Sequence, residues 1–267
     1  MMEQQNTRPR RVMIGTPCYD GRLEVWYVNS LLETVRQGIA RNIEIFPIWL
    51  SYDALVQRAR NDLVAIMLEM QCDDIIFIDG DIKWNPEDVF KLLEYPVDVV
   101  GGTYPKKSDE ETYVVKLLDM NRAADPKTGL LQVEGLGTGF LRLSRYAVQW
   151  LWDNSEPYAE PEYNKVRRLV FNVIAKNNSL ISEDIWVCQR LIEGGISIWL
   201  DTTITCDHVG TKKYTGNFEK WLANFRANIP QNKQPLMSQP SGYGNVKQNR
   251  YLNPVNINPD QVRSLYK

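Results

Sequence analysis

The stretch at residues 74–81, Asp-Ile-Ile-Phe-Ile-Asp-Gly-Asp, constrains the fold of this chain more than any other segment. Residues 75–78 are β-branched or aromatic, which is the pattern of a strand buried on both faces in a parallel sheet. Asp79 and Asp81 follow at the carboxyl end of that strand. In open α/β sheets this end is where ligands bind, and Gly80 lets a backbone approach a ligand closely. The segment therefore predicts an α/β fold with a ligand site at one edge of the sheet.

Two carboxylates one residue apart repel each other unless a cation lies between them. Asp79 and Asp81 are therefore candidate oxygen ligands of a divalent metal ion. The alternative is a solvated acidic turn that ends the strand and caps the next helix. His208 is the single histidine of the sequence, and imidazole beside carboxylates suits manganese or similar ions. Since a lone histidine is more often structural, both interpretations of His208 stay open.

Strand and helix patterns alternate from residue 11 to about residue 100. We predict strands over 11–16, 43–50 and 97–100, and a helix from Pro86 to about Leu93. Apolar residues at helical spacing indicate two more helices, with Leu23, Tyr27, Leu31, Val35 and Ile39 in the first and Leu55, Ala59, Leu63, Ile66 and Met70 in the second. The loop at 15–21 has neither G-x-G-x-x-G nor a P-loop, which argues against a dinucleotide or ATP bound in those modes.

Strict alternation stops near residue 113. We predict short strands over 113–118, 130–133 and 196–200, a glycine-rich strand over 135–143, and an exposed loop over 154–165. Ser182 is a predicted helix cap, with Glu183 and Asp184 in the first turn and Gly194 at the end. These carboxylates are either functional or simple partners of the helix dipole. A last helix carries Phe218, Trp221, Leu222, Phe225 and Ile229.

The composition limits the domain count and the class of partner. We predict one domain over residues 1–229 and an extended or partly disordered tail over 230–267, where Gln, Asn, Pro, Ser and Gly dominate. A net charge of −2 gives no global field for nucleic acid or an anionic membrane. Four cysteines without C-x-x-C spacing argue against a zinc site or a disulfide framework. With no apolar run of membrane-spanning length and no signal peptide, we expect a cytoplasmic location, in the host cytoplasm if the chain is viral.

An ordered set of segments resembles the nucleotide-sugar glycosyltransferases of the GT-A fold, especially compact viral and bacterial members related to family 2. The matching segments are Arg58-Ala-Arg-Asn61, Ile75-Ile-Phe-Ile-Asp-Gly-Asp81, Val99-Val-Gly-Gly-Thr-Tyr-Pro105, Gly137-Thr-Gly-Phe140, Ser182-Glu-Asp184 and Trp199-Leu-Asp…His208-Val-Gly210. They fall within residues 11–210, in the family's order. The resemblance implies a Rossmann-like GT-A fold, with a mixed, mainly parallel sheet flanked by helices.

The resemblance also implies a role for each candidate site residue. Asp79 and Asp81 match the D-x-D motif that places Mn²⁺ or Mg²⁺ on the diphosphate of a UDP-sugar or GDP-sugar, and His208 matches the late metal ligand. The implied donor contacts are Thr16, Pro17 and Tyr19 at the base, Arg58, Asn61 and Asp62 near the ribose, phosphates or sugar, and Gly80, Tyr104, Gly137, Thr138 and Gly139 along the cleft. Asp184, with Glu183 beside it, matches the acidic position that accepts a proton from the acceptor hydroxyl in inverting members. Some retaining relatives carry acidic residues there without that use, so the stereochemistry stays open.

The resemblance thus implies sugar transfer to a hydroxyl of a glycan or another acceptor, with the oligomeric state open. A phosphatase of the haloacid dehalogenase type also places D-x-D after an apolar strand. Its motif opens the chain, however, and has Thr or Val where Lys83 stands here. A sugar-1-phosphate nucleotidylyltransferase would need a Gly-rich, Arg-containing N-terminal loop that this sequence lacks. A catalytically silent sugar-binding module is the alternative from a different class.

Overall fold

A computed structural model describes residues 8–160, 165–210, 212 and 214–228. In chain order, the elements within these residues are β1 (Arg10–Cys18), α1 (Val25–Ala40), β2 (Ile43–Ser51), α2 (Val56–Glu69), β3 (Asp74–Ile78), β4 (Ile82–Lys83), α3 (Pro86–Glu94), β5 (Val99–Thr103), β6 (Val115–Leu117), β7 (Leu131–Leu136), β8 (Phe140–Ser144), α4 (Arg145–Asp153), β9 (Pro157–Glu160), β10 (Lys165–Arg168), β11 (Ile174–Lys176), β12 (Ser179–Ile181), α5 (Glu183–Glu193), β13 (Ile198–Thr205), β14 (Asp207–His208) and α6 (Phe218–Ala227). None of the described helices combines the length and the apolar character of a membrane-spanning segment.

The centre of the fold is an eight-stranded sheet in the order β2-β1-β3-β8-β5-β13-β7-β6. The parallel pairs β1–β2, β1–β3 and β5–β13 share one direction, while β7 and β8 run antiparallel to their neighbours. Most strands of the sheet therefore run one way, and helices cover both faces. The predicted fold class, a mixed and mainly parallel α/β sheet flanked by helices, is confirmed.

Strand β3 is buried on both faces, as its sequence predicts. Ile75 and Phe77 pack into the core beneath α2, α4, α5 and α6, whereas Ile76 and Ile78 pack into the core beneath α1 and α3. All four side chains are fully buried, and each contributes about 1.5 to 3 kcal/mol by leaving water. This double burial fixes the carboxyl end of β3, and therefore the backbone from which Asp79 and Asp81 project.

Two predicted details near the amino terminus are wrong. Strand β1 continues to Cys18 instead of ending at Thr16, because β2 stays in register with it as far as Ser51. The loop therefore begins later than predicted. Ile39 was assigned to the buried face of α1 but is 77% exposed. Residues repeating every fourth position turn by about 40° per step around a helix, so Ile39 has drifted about 120° from the buried Tyr27.

The sequence interpretation missed one helix and several short strands in the second half of the chain. Helix α4 follows β8 without a loop, and the Ser144 hydroxyl caps it by accepting a hydrogen bond from the Ala147 backbone N–H. Strand β9 lies within the segment predicted to be an exposed loop, and β11 and β12 form a hairpin that was not predicted. Residues 161–164, Ile229 and the predicted tail at 230–267 lie outside the described residues.

Candidate active site

The segment that follows β3 is paired with the segment that carries His208. Beyond Asp81 the backbone forms β4, which pairs antiparallel with β14 so that Ile82 lies opposite His208. The Val209 backbone N–H donates to the Asp81 carbonyl oxygen at 2.8 Å. Backbone pairing therefore brings His208 beside Asp81, although more than one hundred residues separate them in the sequence.

The imidazole of His208 presents a nitrogen to Asp81. Its Nε2 lies 3.5 Å from the Asp81 Oδ2, and its Nδ1 lies 2.9 Å from the Pro105 carbonyl oxygen. Because a carbonyl only accepts, Nδ1 carries a proton in this contact. A protonated Nε2 then donates to the Asp81 carboxylate, whereas the Nε2 of the neutral ring has a lone pair for a metal ion. Two ligands bound to one ion at about 2.0 to 2.2 Å lie roughly 3 to 3.6 Å apart. The Asp81–His208 spacing therefore fits a shared metal ion.

Asp81 also forms an ion pair within the protein. Its Oδ2 accepts from the Lys107 Nζ at 2.5 Å. Burial acts to raise the pKa of the Asp81 carboxyl, but the hydrogen bonds and charges of His208 and Lys107 outweigh burial and lower it to about 2. Asp81 is therefore ionised at any physiological pH, as a metal ligand must be.

Arg60 bridges the two acidic segments of the site. Its guanidinium donates to the Asp79 Oδ1 at 2.9 Å and to the Glu183 Oε1, and only 4% of its side chain is exposed. It therefore ties the end of β3 to the start of α5. Arg60 was not among the predicted site residues. Val64 and Met67, at i+4 and i+7 from Arg60, lie on the same helix face and are buried. Helical periodicity alone would have assigned Arg60 to the buried face of α2.

The start of α5 holds two carboxylates in different environments. Glu183 accepts from the buried Arg60. The Asp184 Oδ1 accepts from the Ser182 hydroxyl and from the Ile185 backbone N–H at 2.8 Å, so Ser182 stands at the predicted cap position but donates to Asp184. Within the described part of the chain, the Asp184 Oδ2 has no hydrogen-bond partner. Asp184 therefore keeps one carboxylate oxygen available to a ligand.

Tyr104 lies against the glycine-rich turn that precedes β8. Its hydroxyl oxygen accepts from the Gly139 backbone N–H at 3.0 Å, and a Cβ atom on Gly137 or Gly139 would lie 2.4 or 2.6 Å from that oxygen. The Tyr104 hydroxyl therefore occupies the space that side chains at Gly137 and Gly139 would need. Burial raises the pKa of Tyr104 well above its usual value, and the charges of Asp79 and Asp184 raise it further. The phenol therefore stays protonated beside the acidic cluster.

Several predicted donor contacts are already engaged within the protein. Asn61 accepts from the Phe171 backbone N–H at 2.7 Å and donates to the Phe171 carbonyl at 3.0 Å. Asp62 pairs with Arg167 at 2.6 Å, and Arg58 pairs with Asp53 at 2.8 Å. A contact between Asn61 and a ligand would break two buried hydrogen bonds, so its amide has a structural role here.

The remaining candidates divide by exposure. Thr16 is buried and its hydroxyl lies 2.5 Å from the Tyr27 hydroxyl, whereas Pro17 is partly exposed and Tyr19 is 71% exposed. Thr138 is buried, and its hydroxyl has no partner among the described residues. At Gly80, a Cβ atom would lie 3.0 Å from the Leu23 side chain, and the Gly80 carbonyl accepts from the Glu24 N–H at 3.0 Å. Gly80 therefore also allows close approach of the segment that leads into α1.

The predicted metal triad is only partly assembled. Among the described residues, no three His, Cys, Asp or Glu side chains are grouped closely enough to hold a metal ion. Asp81 and His208 are together, but the Asp79 carboxylate is turned toward Arg60. The set of Asp79, Asp81 and His208 as ligands of one ion therefore stays a prediction, in which a metal ion would compete with a buried guanidinium for Asp79.

Two depressions on the described surface lie away from these carboxylates. One, of about 560 Å³, is lined by α6 and the preceding segment, and another, of about 520 Å³, is lined by Arg10, Arg41 and their neighbours. Neither contains a cluster of acids with a histidine. We place the candidate site at the edge of β3 because chemistry, and not concavity, distinguishes it.

Comparison with known proteins supports the fold alone. No protein-family model matches the sequence. No curated protein matches it either. Among solved structures, A197 from STIV superposes with a TM-score of 0.50 at 18% identity, covering 78% of this chain and 94% of that chain. Two others have lower TM-scores. A glycosyltransferase involved in glycosylation of the major capsid of PBCV-1 gives 0.30 at 13% identity, covering 53% of this chain and 62% of that one. A putative glucose-1-phosphate thymidylyltransferase from Bacillus anthracis gives 0.35 at 10% identity, covering 83% and 98%. At these values the last two carry no argument about function.

Proposed function

We propose that this protein is a metal-dependent glycosyltransferase that moves a sugar from a nucleoside diphosphate sugar to a hydroxyl group. The observation that carries the proposal is the Nε2 of His208, which lies 3.5 Å from the Asp81 carboxylate while Nδ1 is engaged by a carbonyl. This pair stands at the carboxyl end of a buried parallel strand, where α/β folds bind their ligands. Arg60 contacts both Asp79 and Glu183, and so holds the start of α5 next to Asp79.

The charge of the cluster favours a divalent ion. Its carboxylates belong to Asp79, Asp81, Glu183 and Asp184, and its cations are Arg60 and Lys107. With a neutral histidine, two negative charges remain. Asp81 and His208 would hold Mn²⁺ or Mg²⁺, with Asp79 as a further ligand if it leaves Arg60. When bound, such an ion supplies the positive charge that stabilises a departing diphosphate.

The two carboxylates of α5 take different roles in this proposal. Glu183 is held by the Arg60 guanidinium, so its carboxylate is engaged within the protein. Asp184 keeps its Oδ2 without a hydrogen bond among the described residues and receives two hydrogen bonds on the other oxygen. Asp184 therefore accepts the proton of the acceptor hydroxyl, and Glu183 fixes the start of α5 relative to Asp79.

The donor base and the acceptor are proposed more broadly. The exposed ring of Tyr19, at the end of β1, is available to stack on a nucleoside base. The donor is then a UDP-sugar or GDP-sugar, and the acceptor is a glycan or another molecule with a free hydroxyl. A silent sugar-binding module would bind the same donor without turnover.

A thermal-shift panel tests the proposal. UDP, GDP and their common sugar conjugates are added to the full chain with millimolar Mn²⁺ or with a chelator. A ligand at about 100 times its dissociation constant adds roughly 2.7 kcal/mol, which is a shift of roughly 5 to 10 °C for a domain of this size. We expect one nucleotide class to shift the midpoint only with Mn²⁺. The same samples are assayed for donor hydrolysis, since binding without any turnover identifies the silent module. Equal shifts with metal and chelator contradict the metal-dependent mechanism.

A further inference from the structure

The two cations of the candidate site differ in how firmly they are held. Arg60 is 4% exposed and contacts two carboxylates, so its removal from them would strand buried charge. Lys107 contacts only Asp81 in this cluster, and the two side chains are 38% and 35% exposed. An ion pair this open to solvent contributes little to the stability of a protein. Arg60 is therefore a fixed cation and Lys107 an exchangeable one.

Lys107 occupies a position that a metal ion would need. Its Nζ lies 2.5 Å from the Asp81 Oδ2, the same oxygen that faces the Nε2 of His208. A divalent ion bound by that oxygen and that nitrogen would lie within a few ångströms of the ammonium and repel it. The ammonium and the ion therefore compete for one carboxylate oxygen.

The surrounding backbone lets the lysine move without unfolding its loop. The loop is closed at its base by the Lys106 N–H to the Thr112 carbonyl at 2.8 Å, and its tip is tied by the ion pair between Asp109 and Lys212. The Lys107 stem crosses Gly210, where a Cβ atom would lie 3.3 Å from Cδ. With the backbone held and the stem lying on a glycine that has no side chain of its own to block it, the ammonium can move by side-chain rotation alone.

We propose that Lys107 is an internal counter-ion that divalent metal displaces from Asp81 and that then binds the donor diphosphate. The inference rests on the proposed function, because the diphosphate is the anion that would share the metal with Asp81. A phosphate oxygen in that position lies within reach of an ammonium on a four-carbon stem. Lys107 is thus a positioning residue that neutralises the site when empty and the diphosphate when filled.

The proposal predicts effects of opposite sign on metal and on nucleotide. In Lys107→Met, loss of the competing charge should tighten Mn²⁺ alone by about 10-fold, the screened effect of a unit charge near a divalent ion in a solvent-exposed site. The same variant should bind UDP or GDP, whichever the parent prefers, about 10-fold more weakly at saturating Mn²⁺, because one charge-assisted hydrogen bond is lost. A purely structural lysine would change neither affinity in this paired way.

The experiment uses the full chain and two control variants. Lys107→Arg keeps the charge, and Lys106→Met removes the same charge from the adjacent, exposed position. Mn²⁺ binding is followed by the loss of the free-ion electron paramagnetic resonance signal, and nucleotide binding by calorimetry. Both controls should stay within about threefold of the parent. An unchanged Mn²⁺ affinity in Lys107→Met, or two shifts of the same sign, overturns the role of Lys107 and leaves the proposed function standing. If no protein binds Mn²⁺ with or without nucleotide, both the inference and the proposed metal dependence are overturned.

Discussion

Replacing Arg60 by methionine should expose what this buried cation contributes to the protein. Methionine retains most of the side-chain volume, so the main loss is the charge and its hydrogen bonds. Asp79 and Glu183, which are 29% and 16% exposed, would then keep negative charge without their partner. Removing one member of a buried ion pair costs about 3 to 5 kcal/mol. Because both carboxylates reach some solvent, we expect a smaller loss of about 2 to 4 kcal/mol.

The pH dependence of this loss separates charge from packing. In the variant, protonation neutralises the stranded carboxylates, so the folded state takes up a proton that an unfolded chain, with carboxyl pKa values near 4, does not yet bind. Each such proton adds up to about 1.4 kcal/mol of relative stability for every unit by which the pH falls. The deficit of Arg60→Met relative to the parent should therefore shrink by at least about 1 kcal/mol between pH 7 and pH 5.

Urea unfolding followed by tryptophan fluorescence measures the loss of stability at pH 7 and the change in that loss at pH 5. Arg58→Met is the matched control, since Arg58 is on the same helix and forms a more exposed pair with Asp53. The control should lose less than about 1 kcal/mol at both pH values. At pH 7 the melting midpoint of Arg60→Met should fall by roughly 5 to 15 °C. A deficit that is equally large at pH 5 and pH 7 would refute the charge argument and leave only packing.

Four further outcomes are expected. Asp184→Asn should slow sugar transfer by roughly 10² to 10⁴ with donor affinity nearly unchanged, whereas Glu183→Gln should chiefly lower the melting midpoint; parent-like transfer in Asp184→Asn would exclude it as the base. His208→Ala should weaken Mn²⁺ by at least about 10-fold at saturating nucleotide, and a change in melting midpoint without a change in metal affinity would make it structural. Burial, with the charge of Asp201 adding to it, raises the pKa of Asp88 to about 6. Because the folded state holds that proton more tightly than the unfolded chain, the free energy of unfolding falls as the pH rises from about 4 to 6. Urea unfolding should therefore show Asp88→Asn more stable than the parent by about 1 kcal/mol at pH 8 and no different below pH 4. Gly139→Ala would place Cβ 2.9 Å from the Asp79 Oδ2, and unfolding should show a loss of about 1 to 3 kcal/mol.

Local patterns predicted the elements whose signals are local. The buried run of β3, the helical spacing of α2 and the start of α5 after Ser182 all follow from the sequence. The missed hairpin β11–β12 also has a local signal, the pair Asn177-Asn178. Both residues adopt positive φ, as a two-residue type I′ hairpin turn requires, and Asn tolerates that conformation. Helix α4 was missed for a different reason. It begins at the residue after β8, so only the Ser144 cap marks the change from the two-residue repeat of a strand to the 3.6-residue repeat of a helix.

The candidate site was predictable in its acids and not in their partners. A strand-end D-x-D and an acidic helix start are visible in the sequence, but the partners that decide what each carboxylate can do come from distant segments. Arg60 reaches Asp79 and Glu183 across 19 and 123 positions, and Lys107 reaches Asp81 across 26. These pairings depend on tertiary packing. Sequence alone therefore grouped Asp79 and Asp81 as equivalent ligands, whereas the structure gives each a different cation.

That difference follows from the strand order at the centre of the sheet. Strand β8 lies between β3 and β5 and runs antiparallel to both, so the turn before it meets the carboxyl end of β3. There the Asp79 N–H donates to the Gly139 carbonyl at 3.2 Å, and its carboxylate is directed to the side of Arg60. Asp81, two residues on, follows the β4–β14 pair instead and meets His208 and Lys107. Asp79 thus lies against the turn before β8 and Arg60, and Asp81 lies beside the β4–β14 pair, where the proposed metal ion would bind.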